Sequence, residues 1–332
     1  MEPLLIIPIA LGFFATLFFI PAWIKRAVNM GLVGRDMHKI RKKDIAELGG
    51  ITVLLGFVLG TLSYIAIKTF YFNSPDNLIE IFSLISVILI VSFIGLVDDL
   101  FVWKIGLNKK TRILLLIFAS IPLVVINAGE SKMMGIEFGL FYPLFFIPLG
   151  IVATSATFNF LAGLNGLESS QGILILSALS LVTWLLGEKW LSLISLVMVF
   201  SLIAFYIFNR YPAEIFPGDV LTYSVGALIA VVAILGNVEK IAIFFFIPYI
   251  IEVLLKIRGK LKVESFAKLN KDGSLDLPRE KIYSLTHLSL FILKKIKSNG
   301  KVYEKEVVYM INFFQLVIII IGFVLFWGEL IK

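Results

Sequence analysis

Cysteine is absent from this sequence, which excludes disulfides, thiolate nucleophiles and thiolate-bound metals. Histidine occurs only at His38 and His287, so a metal centre built from several imidazoles is excluded as well. Charged residues make up 16% of the 332 residues, where an average soluble domain has about 25%. Acids are the scarcer sign, with 23 Asp and Glu against 30 Lys and Arg and a net charge of +7. In so apolar a chain, that excess points to anionic lipid headgroups or a phosphate-bearing substrate, and nucleic acid is not expected. No shift in composition separates two folded soluble domains, so residues 1–332 read as one domain. The first apolar run has an acid and no base ahead of it and lacks a small-residue cleavage site. It reads as a first span and not as a cleaved signal.

Hydrophobic residues make up 59% of the chain, above the 45–50% usual for soluble proteins. A spanning helix needs about 20 mostly apolar residues. Ten segments qualify: 3–24, 49–68, 78–97, 111–127, 138–162, 169–187, 190–208, 219–236, 240–256 and 307–328. Threading the chain through them places 25 of the 30 Lys and Arg on one side, which should be cytoplasmic. The expected fold is an all-α polytopic integral membrane protein with about ten transmembrane helices and both termini outside. Residues 257–306 form a cytoplasmic loop between spans 9 and 10, with an amphipathic segment. The absence of cysteine, the high Lys and Ile and the short outer loops favour a prokaryotic plasma membrane.

Every motif-like loop falls on the basic side: "GRDMHKIRKKDIAELGG" (34–50), "DDLFVWKIGLNKKTR" (98–112), "NFLAGLNGLESSQG" (159–172) and "NRYPAEIFPGDV" (209–220). One-sided clustering suggests a single cytoplasmic site. Asp98 and Asp99 end the third span, where the helix dipole disfavours carboxylates. Helix neighbours point about 100° apart, so the two cannot share one place in a site. Lys104, Lys109, Lys110 and Arg112 follow them closely. Asp219 stands directly before the eighth span, where Asp is also a favoured N-cap. Asn159 sits at a membrane edge beside Gly163 and Gly166, which break a helix or admit a ligand close to the backbone. Glu47 and His38 lie in a basic loop, where solvated side chains are the ordinary expectation. His287 falls in the amphipathic stretch, read as an interfacial helix. Oxygen ligands without sulfur favour a hard cation, and Mg²⁺ takes one or two carboxylates together with substrate phosphates. The residues alone thus read as a membrane-embedded, Mg²⁺-dependent enzyme acting on phosphates, with Mn²⁺ as the alternative ion.

The four loops together resemble the polyprenyl-phosphate N-acetylhexosamine-1-phosphate transferase family. "NFLAGLNGLESSQG" is most similar to its eukaryotic and archaeal branch, and "GRDMHK", "AELGG", "GLVDDL" and "FPGDV" match that branch in order. "SFAKLNKDGSLDLPREKIYSLTH" matches it more loosely. The resemblance implies transfer of GlcNAc-1-phosphate from UDP-GlcNAc to a polyprenyl or dolichyl phosphate, releasing UMP. That is the first step of lipid-linked oligosaccharide synthesis, as for N-glycosylation. Asp219 and Asn159 would then hold the Mg²⁺. Asn165 would read the uracil edge, with Gly163 and Phe216 enclosing the ring. Asp36, Met37 and Lys39 would complete the nucleotide side, and Glu47 would contact the ribose. Asp98 and Asp99 would order the metal and the basic groups around the lipid phosphate. Arg112 falls where the family has a phosphate-binding lysine, with Lys109 and Lys110 as alternative suppliers. A basic cluster of the family's last cytoplasmic loop is replaced here by Glu264 and Ser265, leaving Lys262 and Lys268 as substitutes. Partners would be a UDP-sugar, a polyprenyl phosphate and membrane lipid, with a second copy of the chain as a further candidate. Two alternatives stay open: the same chemistry on another UDP-HexNAc for a cell-wall or surface polysaccharide, and a secondary transporter of an anionic phosphorylated metabolite.

Overall fold

The computed structural model describes residues 3–40, 43–101, 107–133 and 135–331. The helices are α1 (Ile6–Asn29), α2 (Gly50–Ala66), α3 (Leu78–Phe101), α4 (Lys109–Ala119), α5 (Ile121–Val125), α6 (Ile147–Phe158), α7 (Leu167–Leu185), α8 (Lys189–Asn209), α9 (Gly218–Leu235), α10 (Glu239–Phe245), α11 (Ile247–Arg258), α12 (Leu285–Ile296) and α13 (Glu304–Leu330). Three two-stranded hairpins join them: β1–β2 (Val33–Arg35, Asp44–Ala46), β3–β4 (Lys132–Met133, Ile136–Glu137) and β5–β6 (Lys268–Leu269, Leu275–Asp276).

Among the described residues, seven helices are long and apolar enough to cross a membrane: α1, α2 with its continuation to Tyr71, α3, α7, α8, α9 and α13. Two of the other expected spans are broken, each beside a proline, and the third is a shorter apolar helix, Tyr142–Phe158. Pro122 separates α4 from α5, and Pro248 opens α11 just after α10 ends. A π-helical turn containing Pro143 precedes α6, whose second residue is Pro148. Proline removes a helical N–H and crowds the preceding turn, which favours a break there, although α1 runs on through Pro21.

Helix α9 is the axis of the bundle, with nearly every residue from Val220 to Ile234 buried. Helices α3 and α6 press against it where glycine permits. A Cβ at Gly95 would lie 2.6 Å from the carbonyl oxygen of Asp219, so any side chain there would push α3 away from the start of α9. Helices α1, α3, α6 and α8 end, and α2, α7, α9 and α13 begin, at one end of the bundle. Backbone contacts stitch that end together: the amides of Gly49 and Gly50 donate to the carbonyls of Phe216 and Pro217.

Candidate active site

The two adjacent carboxylates take separate places. Asp98 is fully buried and pairs with Arg112 Nη2 at 2.5 Å. It also accepts from the Tyr223 hydroxyl at 2.9 Å and the Leu107 amide at 3.1 Å. Asp99 points the other way, into a cavity of about 420 Å³. Its Oδ2 accepts from the amides of Asp219 (2.7 Å) and Val220 (3.4 Å), in the first turn of α9. The negative end of α3 therefore meets the positive end of α9, with a carboxylate between them. That arrangement offsets the charge that looks misplaced in the sequence.

Asp219 does not cap its own helix, contrary to the ordinary expectation for an Asp there. The N-cap residue is Pro217, with no side-chain cap, and Asp99 fills that role from another helix. The Asp219 side chain is free to turn into the cavity, where its Oδ1 accepts from Asn159 Nδ2 at 2.9 Å. Asn159 is the C-terminal cap of α6, which stops short of the expected end of that span. Asp98, Asp99 and Asp219 thus converge with Arg112 as the one cation paired to them among the described residues. Arg112 Nε is buried and without a partner there.

The other end of the cavity is lined by Asp36, Met37, Gly163, Asn165, Phe216 and Phe266. Gly163 has φ +99°, and a Cβ on it would meet the Phe266 ring at 2.9 Å. The Gly163 amide donates to Glu168 Oε1 at 2.8 Å, which fixes the turn between α6 and α7. Asn165 donates its Nδ2 to Asp36 and its backbone amide to Glu304. Glu47 lines the wall, and burial pushes its carboxyl above the ordinary range.

Residues 81–237 match glycosyl transferase family 4. A Saccharolobus solfataricus protein provisionally named UDP-N-acetylglucosamine–dolichyl-phosphate N-acetylglucosaminephosphotransferase is 39% identical over 292 residues, covering 86% of this chain and 87% of the relative. A Sulfolobus acidocaldarius protein with the same provisional name is 33% identical over 297 residues, covering 87% and 88%. The Dictyostelium discoideum enzyme of that name is 28% identical over 295 residues, covering 74% and 71%. This chain belongs to glycosyl transferase family 4. The matched region carries Asp98, Asp99, Asn159 and Asp219. The β1–β2 hairpin and Glu304, which complete the far end of the cavity in this family member, lie outside it.

Some expected site residues do not reach the cavity. Lys109 is exposed, with its ammonium 3.5 Å from the Leu261 carbonyl, and Lys110 is exposed in the same first turn of α4. Lys262 and Lys268 are exposed on the loop and on β5. Lys104 lies outside the described residues. Lys39 instead bridges Asp36 (3.6 Å) and Glu304 (3.3 Å) and sits over the Tyr211 ring. Among the described residues, Asp36, His38 and Glu304 are close enough to share a metal ion, but Lys39 already supplies the cation to both acids. Sequence reasoning missed Phe266, Glu168 and Glu304. Glu168 carried a signal as the acid closing "NGLE", and Phe266 lies in the loosely matching "SFAKLN" stretch.

Both histidines are buried, against the expectation of a solvated His38, and His287 sits on the buried face of α12. His38 Nε2 accepts the Ala267 amide at 3.1 Å. His287 Nδ1 accepts from Tyr283 N–H, so its Nε2–H faces the Phe266 carbonyl at 3.4 Å. Together they pin the segment that holds Phe266 against Gly163. Burial lowers both imidazoles below the ordinary 6.5, with Asp36 opposing the shift at His38. The unfolded chain takes up these protons near 6.5, and the folded chain resists them. The histidines' contribution to stability is therefore full above pH 6.5 and declines as pH falls below it. The melting temperature of wild-type protein should fall relative to that of His38→Gln as the pH goes from 7 to 5.

Proposed function

We propose that this protein transfers GlcNAc-1-phosphate from UDP-GlcNAc to a dolichyl or other polyprenyl phosphate, releasing UMP and starting a lipid-linked oligosaccharide. The observation that carries the reading is the cavity itself. Acids and an amide converge at one end, and aromatic rings with a fixed amide line the other, which suits a pyrophosphate joined to a nucleoside. The names of the relatives supply the sugar and the acceptor. Ten membrane crossings, with two of them broken, would set both termini outside and the cavity at the cytoplasmic face of an archaeal plasma membrane, in line with the Lys/Arg bias.

Asp219, Asn159 and the free oxygen of Asp99 fit a Mg²⁺ ion, because three carboxylates crowd one arginine and all the donors are oxygen. Bound there, the ion would offset the charge that develops on the bridging oxygen as UMP leaves. Arg112 holds Asp98 in place beside the cavity. The acceptor phosphate needs little help losing a proton, since its second pKa is about 6. Its oxygen attacks the phosphorus next to the sugar, the bond from that phosphorus to the bridging oxygen breaks, and UMP departs. An apolar cavity of about 330 Å³ lies between α6, α9 and the α10–α11 break, lined by Ile243, Phe246 and Ile250. It begins about 15 Å along α9 from Asp219, at 1.5 Å per residue, and would take part of the lipid chain.

Purified protein should release UMP from UDP-GlcNAc only with both Mg²⁺ and polyprenyl phosphate, and a chelator should stop it. Release of UMP from a different UDP-HexNAc alone would change the sugar. No release from any of them, with uptake of a phosphorylated metabolite into vesicles, would replace the transferase with a transporter. Trapping a phospho-sugar on the protein without acceptor would replace direct attack with a covalent route.

A further inference from the structure

Asn165 lies at the aromatic end of the cavity, 7% exposed, and is held from two sides. Its Nδ2 donates to Asp36 Oδ2 at 2.9 Å, and its backbone amide donates to Glu304 Oε1 at 2.7 Å. Asp36 is itself oriented, because its Oδ1 accepts the backbone amide of His38 at 2.9 Å. Lys39 bridges the two acids and holds them beside Asn165. A side-chain amide is nearly symmetric in shape but not in chemistry, since one end donates and the other accepts. A carboxylate only accepts, so Asp36 requires the nitrogen of Asn165 to face it. The Asn165 oxygen then faces away and accepts no hydrogen bond from a described residue.

We propose that Asp36, Lys39 and Glu304 are positioning residues that lock the Asn165 amide so that the cavity offers an acceptor, selecting a pyrimidine whose N3 carries a hydrogen. This rests on the reading of the cavity as a nucleoside diphosphate site. Uracil has the N3–H and cytosine does not. A cytosine N3 against the Asn165 oxygen pairs two acceptors, and such a mismatch in a buried site is heavily penalised.

The substitution Asp36→Asn tests the lock because it keeps the shape. If the oxygen of the introduced amide keeps the His38 N–H, its NH₂ faces Asn165, which must flip and turn its own NH₂ into the cavity. Binding of UDP and CDP to the purified protein with Mg²⁺, measured by calorimetry, should show wild type preferring UDP. The D36N protein should lose about tenfold or more in UDP affinity and gain in CDP affinity, so that the ratio falls or inverts. Glu304→Gln keeps the acceptor for the Asn165 amide and should keep the preference, whereas Glu304→Ala should narrow it. A merely structural role would lower both affinities together and leave the ratio unchanged. A D36N ratio within about twofold of wild type overturns the assignment and leaves the transferase reading intact. So does a wild-type protein that binds UDP and CDP equally. Wild-type protein that binds neither nucleotide overturns both.

Discussion

Replacing Asp219 with asparagine should lower UMP release by about 10³-fold, the order seen when one charge-stabilising group is removed from a phosphoryl-transfer site. The substitution keeps the size of the side chain, and an asparagine oxygen still accepts the Asn159 amide now 2.9 Å away. The fold should therefore survive. Stability without metal should hold or rise, because Asp98, Asp99 and Asp219 crowd one another and the substitution removes one like charge. Sites that trade stability for function behave in this way. Two measurements check the prediction: single-turnover UMP release, and the rise in melting temperature on adding Mg²⁺. Both should be lost together. A loss under about tenfold, with the Mg²⁺-induced rise intact, would remove Asp219 from the site. Asp99→Asn should show the same activity loss with some destabilisation, because Asp99 also receives the first-turn amides of α9.

Arg112→Met should destabilise the protein by about 3 kcal/mol, the lower end of the range for breaking a buried pair. Asp98 has no exposure, so it would be left charged and without its cation. Arg112 is 27% exposed, which places the effect at the low end. Adding Asp98→Asn should recover much of the loss, because the neutral side chain still accepts the Tyr223 hydroxyl and no charge stays buried. Denaturant unfolding in detergent of the two single variants and the double variant gives the coupling directly. Equal stability of Arg112→Met and wild type would mean that water reaches Asp98. The double variant also separates two roles. Recovered stability with UMP release well below that of Asp98→Asn alone would assign Arg112 to the substrate phosphates as well as to Asp98.

The sequence located most of the cavity but not its wiring. Asp99, Asn159, Asp219, Asn165, Gly163, Phe216, Met37 and Glu47 all line it, as their motifs imply. Each sits in a loop or at a helix end, where local residue types announce a turn or a membrane edge. The basic candidates fared differently. Lys109, Lys110, Lys262 and Lys268 stay in solvent, because a charge in a basic loop carries no signal of which way it faces. His38 and His287 gave no hint that two separate parts of the chain use them to clamp the Phe266 segment. Phe266 lies in the loosely matching "SFAKLNKDG" stretch but was not singled out there, and Glu304 sits in a stretch with no motif.

Composition and apolar run lengths alone determined that this is a helical membrane protein with its chemistry gathered at one end. Burial in lipid demands long apolar segments, and that demand is written residue by residue. The prolines beside the breaks in two of those segments were visible too, but where each break falls is settled by packing. Only the tertiary structure decided that the adjacent Asp98 and Asp99 do different work. One is turned inward to Arg112 and Tyr223, and the other to the start of a helix 120 residues away. Two side chains about 100° apart on a helix meet different neighbours, and those neighbours arrive from elsewhere in the chain.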